Sequence, residues 1–123
     1  MRAKFAVASV ALVVSSGVLL AAPLGRLAPK DIQTTFFNGK PFTASTTSNV
    51  KFKMVFTPEG TMTREALGKN AKGGKSEGTW KLSLDGFCST WKGSKENCYR
   101  VHESGANKWA IIVATQAVAY WSK

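Results

Sequence analysis

The sequence feature that most restricts the fold is a period-two alternation of apolar and polar residues. It is clearest in VKFKMVF at 50–56, where Val50, Phe52, Met54 and Phe56 fall on one face and both lysines fall on the other. Residues i and i+2 share a face in a β-strand and not in a helix. The alternation therefore predicts a strand with one face in a core and the other in solvent.

Turn signals recur along the chain at intervals of roughly ten residues. Asp85 and Gly86 separate two alternating runs, and an Asp-Gly pair in that setting is a strong short-range signal for a β-hairpin. Further breaks occur at 38–41, at Gly93 and at 104–107. This spacing predicts an all-β fold, a small antiparallel up-and-down barrel of about eight strands.

The N-terminal region carries an export signal. A basic flank at 1–4 precedes apolar and small residues at 5–22, which predicts a signal peptide over 1–22. The alternative is an uncleaved anchor in the inner membrane formed by residues 5–22, since their number is near the minimum for a membrane span. We therefore expect a periplasmic or secreted protein, or one held at the inner membrane.

The remaining chain has the size of one domain. Residues 23–38 are predicted to be a linker with a short helical turn from Asp31 to Phe37, in which Asp31 is a candidate cap. Residues 39–123 are predicted to form the barrel. A domain of this size buries only a modest core, so a covalent cross-link would help to stabilise it.

The two cysteines, Cys88 and Cys98, are predicted to form that cross-link. If the Asp-Gly pair is a two-residue loop, Leu84 lies opposite Phe87, and a hairpin centred on Gly93 places the cysteines opposite each other. A disulfide there closes a loop of about 11 residues and contributes about 3 kcal/mol in the chain-entropy estimate. An even cysteine number in an exported chain favours a disulfide over a zinc site, and we predict no metal or other cofactor.

Short motifs follow one another along the mature chain: FFNGK at 36–40, FTPEGT at 56–61, GTW at 78–80, Cys88, Trp91, CYRV at 98–101 and Gly105. In this order they resemble a group of small exported proteobacterial proteins of unknown function, with an F-x-G, D-G-T, G-T-W and C…W…C-Y pattern. Glu59 stands where that pattern has Asp. The resemblance implies a lipocalin-like or avidin-like small barrel, and it implies no activity, cofactor or catalytic residue.

Residues suited to catalysis are few. His102 is the only histidine, and no serine or cysteine can be assigned as its nucleophile once the thiols are oxidised. The seven carboxylates are scattered and form no convincing acid and base pair. We therefore predict a non-enzymatic protein.

The barrel interior is one candidate binding site. If Phe56 pairs with Met62 across the intervening turn, alternation directs Arg64 inward, and a guanidinium in an apolar interior requires an anionic partner. A small apolar or anionic ligand would suit such a site. The alternatives are an interior filled by its own side chains, and an Arg64 that lies at the rim. The candidate interior residues are Arg64, Trp80, Trp91, Tyr99 and Trp109.

The outer face is the other candidate, and the preferred one. Without Arg2 and Lys4 of the signal segment, 15 basic and 7 acidic side chains remain, a net charge of +8. Such an excess favours anionic lipid or envelope polysaccharide, and nucleic acid less, because the aromatic residues point inward. The alternative is that these cations only keep the protein soluble. The predicted basic surface consists of Lys51, Lys53, Lys81, Lys92 and Arg100, beside loop residues Lys69, Lys72 and Lys75.

A third hypothesis comes from SGANKW at 104–109, which is similar to a stretch of small periplasmic lysozyme inhibitors. Those proteins are also compact barrels with disulfides. A basic lysozyme would repel this basic chain, so the charge argues against inhibition. Nothing in the sequence indicates the oligomeric state.

Overall fold

A computed structural model describes residues 25–68 and 74–123. Within them the chain forms one helix followed by eight strands. The elements are α1 (Pro29–Phe36), β1 (Phe42–Thr46), β2 (Lys51–Phe56), β3 (Thr61–Ala66), β4 (Lys75–Leu82), β5 (Phe87–Trp91), β6 (Glu96–Gly105), β7 (Lys108–Val113) and β8 (Gln116–Ser122).

The strands form a closed antiparallel barrel in which each strand pairs with its neighbours in the sequence, and β1 pairs with β8. The prediction of an all-β up-and-down barrel is confirmed. In β2, Met54 and Phe56 are buried and both lysines are exposed, as the alternation predicts. The predicted signal segment at 1–22 and the cations Lys69 and Lys72 lie outside the described residues.

The predicted turn between β4 and β5 is wrong in length. Leu82, not Leu84, lies opposite Phe87, and the backbone N–H of Ser83 donates to the carbonyl of Gly86. The turn thus contains two more residues than predicted, and Leu84 is 97% exposed at its tip. A shift of two residues keeps every side chain on its predicted face, because the period of a strand is two.

The hairpin between β5 and β6 has the predicted register. Cys88 lies opposite Cys98, and the two form the predicted disulfide across the strands. Phe87 lies opposite Tyr99 and both side chains face the interior, so the neighbouring residues Cys88 and Cys98 face outward. The disulfide therefore joins two neighbouring strands on the outer side of the wall.

The helix α1 packs into one end of the barrel. Its side chains Ile32 and Phe36, with Phe37 immediately after it, are at most 1% exposed. The helix is longer than the predicted turn, because it starts at Pro29 and not at Asp31. The predicted cap is also wrong: Ala28 occupies the N-cap position and makes no side-chain hydrogen bond to the helix. The carboxylate of Asp31 instead lies in the first turn, where the helix dipole favours a negative charge.

The barrel thus has two different ends. We call the end that holds α1 the closed end; its turns are 57–60, 83–86 and 106–107. We call the opposite end the open end; its described turns include 47–50, 92–95 and 114–115.

The segment before the helix also belongs to the folded unit. The backbone N–H of Leu27 donates to Val101, and Glu103 donates to Gly25, so this segment pairs with β6. The predicted linker therefore contributes strand pairing and, through α1, core residues. In the described residues, no helix is long and apolar enough to cross a membrane.

Candidate ligand-binding cavity

The half of the barrel near the open end encloses a cavity of about 260 Å³. On the side of the closed end, the cavity is bounded by the aromatic side chains of Phe56, Phe87 and Trp121. The remaining wall has an apolar and a polar side. Apolar lining comes from Ala44, Phe52, Met54, Ile111, Val118 and Ala119. Polar lining comes from Arg64, Ser89 and Tyr99, beside Trp91, and from Ser45 and Thr46.

The strand register places Arg64 in this cavity. Phe56 pairs with Met62, as the sequence analysis assumed, so Arg64 falls on the same inward face two residues later. Its Cζ atom lies 4.3 Å from the ring centroid of Trp91 and 5.2 Å from that of Phe52. The guanidinium thus lies among aromatic faces and is only partly exposed.

Arg64 has no anionic partner in the described part of the chain. No carboxylate of residues 25–68 or 74–123 lies within 4.0 Å of its guanidinium. A positive charge among apolar groups is costly unless it is paired. Arg64 is therefore a partly exposed cation without a protein anion beside it in the described residues, and it is the candidate anion-binding group of the cavity.

Tyr99 and Ser89 lie on the same wall. Burial raises the pKa of Tyr99, and the Ser89 hydroxyl and the positive charge of Arg64 lower it by less. The phenol therefore stays protonated at neutral pH and can donate a hydrogen bond. Ser89 is itself only 5% exposed, whereas Arg64 and Tyr99 are partly exposed, so two hydroxyl groups and one guanidinium share one wall of the cavity.

Ser89 was not among the predicted site residues. The sequence did contain a signal for it, because Ser89 falls on the inward face of β5 between Phe87 and Trp91. A small polar residue at an inward position between two aromatic residues requires a polar partner inside the barrel.

Two predicted interior residues lie at the closed end and do not line the cavity. The indole N–H of Trp80 donates to the carbonyl of Thr57 at 2.9 Å, and its ring contacts Phe37. Trp109 packs edge-on against Phe36. Their aromatic partners are Phe36 at the end of the helix and Phe37 immediately after it. The sequence pattern does not reveal that the helix packs inside the barrel.

The predicted basic surface is interrupted by acidic residues. Lys53 lies opposite Glu65, and Lys81 Nζ is 3.3 Å from Glu96 Oε2. Arg100 is partly buried and donates to a backbone carbonyl of the turn between β7 and β8. Two other members of the predicted surface lie at the open end: Lys51 and Lys92.

Other chemically notable groups do not form a second site. Cys88, Glu96 and Cys98 lie close together, but both sulfur atoms are in the disulfide and are not free to bind a metal. His102 lies on the outer side of β6, and its Nε2 is enclosed without a hydrogen-bond partner in the described residues. The cavity is therefore the strongest candidate site.

Comparison with known proteins identifies no family that matches the sequence, and it gives no curated protein or solved structure that is similar to it. The resemblance to small exported proteobacterial proteins therefore stays a prediction. Arguments about function rest on the cavity and the surfaces around it.

Proposed function

We propose that this protein binds a small amphipathic anion inside the barrel. The anionic group lies at Arg64, and the apolar part lies against Phe56, Phe87 and Trp121. The single observation that carries the proposal is a guanidinium in an apolar cavity without a carboxylate beside it. The excess of basic residues in the sequence favours the outer surface. The cavity supports its alternative, a small ligand in the interior, better.

The donors on the polar wall suit an oxyanion. A guanidinium presents several N–H groups in one plane and binds a carboxylate through two parallel hydrogen bonds. The hydroxyl groups of Ser89 and Tyr99 can donate to the same group. A carboxylate would thus receive the partners that its desolvation requires.

The volume limits the size of the ligand. A cavity of about 150 Å³ accommodates benzene, and this one measures about 260 Å³. By that proportion the cavity accommodates about 10 non-hydrogen atoms of a ligand. A medium-chain fatty acid or an aromatic carboxylate meets both the size and the polarity.

Titration calorimetry with decanoate tests the proposal. Arg64→Met should weaken binding about 10- to 100-fold, since a hydrogen bond to a charged group contributes about 1.5 to 3 kcal/mol. Lys53→Gln is the matched control, because it removes one positive charge from the outer face of the adjacent strand. Decanol, which lacks the charge, should bind more weakly to the unaltered protein. Equal affinity of the two ligands, or equal loss in both variants, would contradict an anion site at Arg64.

The other hypotheses stay predictions. Association of Lys53, Lys81 and Arg100 with anionic envelope surfaces gains no specific support, because acidic residues lie among these cations. Lysozyme inhibition, a periplasmic or secreted location and the absence of enzymatic activity are likewise untested.

A further inference from the structure

The open end carries exposed aliphatic side chains. Most large apolar residues with considerable exposure lie there, at strand ends, with exposed fractions of 41 to 46%. They are Val50, Leu67, Val113 and Val118. Among the described residues, the closed end has a single such side chain, Leu84, at the tip of a hairpin.

These four residues lie on neighbouring strand ends. They belong to the ends of β7, β8, β1, β2 and β3, which are consecutive neighbours in the barrel. Val118 lies at a register irregularity in β8 and also lines the cavity. The backbone N–H of Leu67 donates to the carbonyl of Lys51, the residue after Val50, so those two side chains belong to adjoining strand ends. We call these four residues the apolar rim.

The rest of the open end is basic. Lys51, Lys75, Lys92 and Lys95 are all exposed there. Three carboxylates lie near them: Glu65 lies opposite Lys75, Glu77 is exposed, and one oxygen of Glu96 is 3.3 Å from Lys81 Nζ. Positive charge therefore exceeds negative charge beside the apolar rim.

We propose that the open end docks on an anionic lipid bilayer, so that a single-chain amphiphile enters the cavity directly from the membrane surface. The apolar rim would enter the region between headgroups and acyl chains, and the lysines would contact anionic headgroups. The transfer of ligand rests on the proposed function, whereas docking does not require it.

The chemistry of this surface favours a bilayer over a protein partner. The rim consists of aliphatic residues and lysines, whereas stable protein interfaces are enriched in aromatic residues and arginine and depleted in lysine. The barrel is closed, so it offers no free strand edge to an extended peptide. Val118 of the rim also lines the cavity, so a membrane docked on the rim would lie beside the cavity opening.

Site-specific fluorescence in the full chain tests docking. Val50→Cys and Leu84→Cys, each labelled with an environment-sensitive fluorophore, would be mixed with vesicles of 70% phosphatidylcholine and 30% phosphatidylglycerol. Brominated acyl chains should quench the label at position 50 at least twofold more than the label at position 84. Both positions belong to the same chain, so the ratio of the two signals reports which end of the barrel faces the bilayer.

Charge reversal provides the second measurement. Lys51→Glu with Lys92→Glu should reduce the quenching at position 50 several-fold on the same vesicles. Lys30→Glu with Lys40→Glu changes net charge equally at the closed end and should reduce it by less than twofold. Vesicles of phosphatidylcholine alone should give little quenching at either position.

The outcomes separate docking from ligand binding. Arg64→Met should lose decanoate binding and keep the quenching at position 50. The variant with Lys51→Glu and Lys92→Glu should lose that quenching on vesicles and keep decanoate binding in vesicle-free solution. Equal quenching at positions 50 and 84, or equal loss in both charge-reversal pairs, would overturn docking by the open end. Circular dichroism of each variant checks that the fold is retained.

Discussion

The two ends of the barrel are built from the same eight strands and differ in what fills them. At the closed end Phe36 and Phe37 enter the barrel, and Phe37 stacks on Phe56 with a centroid distance of 4.7 Å. At the open end, none of residues 25–68 and 74–123 places a comparable side chain in the interior, and a cavity with Arg64 and Ser89 in its wall remains.

This difference shows why an eight-stranded barrel need not be wholly filled or wholly hollow. Such a barrel is just wide enough for its own side chains or for one small ligand. Here a helix from outside the strands completes the packing of one half. The stability of the domain should therefore depend mainly on the closed end, and its binding properties on the open end.

The largest effect should come from removing the helix side chains from the closed end. Phe36→Ala should lower the free energy of unfolding by about 3 to 5 kcal/mol, because a fully buried ring leaves a cavity. Phe52→Ala, in the wall of the cavity, should cost clearly less, since that ring is only partly buried. Urea denaturation of both variants measures the difference. Equal losses would remove the proposed division between the two ends.

The disulfide in the wall should contribute to stability and not to binding. Replacing Cys88 and Cys98 with serine should lower the free energy of unfolding by about 3 kcal/mol, because the unfolded chain gains entropy. Decanoate affinity should stay within about twofold, since both sulfur atoms lie on the outer side of the wall. Thiol titration of the unfolded, unreduced protein should detect none. A large loss of affinity in a folded variant would argue against a purely structural disulfide.

At the open end, ligand should stabilise the protein only when Arg64 is present. At a ligand concentration of 100 times Kd, decanoate should raise the free energy of unfolding by about 2.7 kcal/mol. Arg64→Met should lose most of this gain at the same concentration, while its stability without ligand stays similar or rises slightly. Thermal unfolding with and without decanoate measures both quantities. An unchanged gain in the variant would place the anion elsewhere.

The smallest effect concerns the pH dependence that Tyr99 confers. Burial raises the pKa of Tyr99 above 10.0, so the native state holds this proton more tightly than the unfolded state. Its contribution to stability is therefore present below pH 10 and declines as the pH rises through the native pKa. The free energy of unfolding of Tyr99→Phe should decline less steeply between pH 9 and 11 than that of the unaltered protein. Identical pH profiles in urea denaturation would show that the phenol lies in a more polar setting than this wall.

Much of the cavity wall was predictable from local patterns. The alternation in β2 and β3 placed Arg64 on the inward face, and alternation in β5 and β6 set Cys88 opposite Cys98. These predictions required only the alternation of inward and outward positions along each strand. Even the misjudged turn at Leu84 left the faces intact, because the error was two residues.

What lies within the barrel depended on contacts that no local pattern contains. Alternation alone directs Trp80 and Trp91 to the same interior, yet Trp80 packs against Phe37 and Trp91 against Arg64. Which half of the barrel is filled depends on where the helix packs, and that contact joins residues far apart in the sequence. The sequence by itself thus determined the strands, their faces and the disulfide, because these follow from a period of two. Only the tertiary structure decided that one end is closed and the other holds a cavity, because the packing of α1 against eight strands is a non-local property.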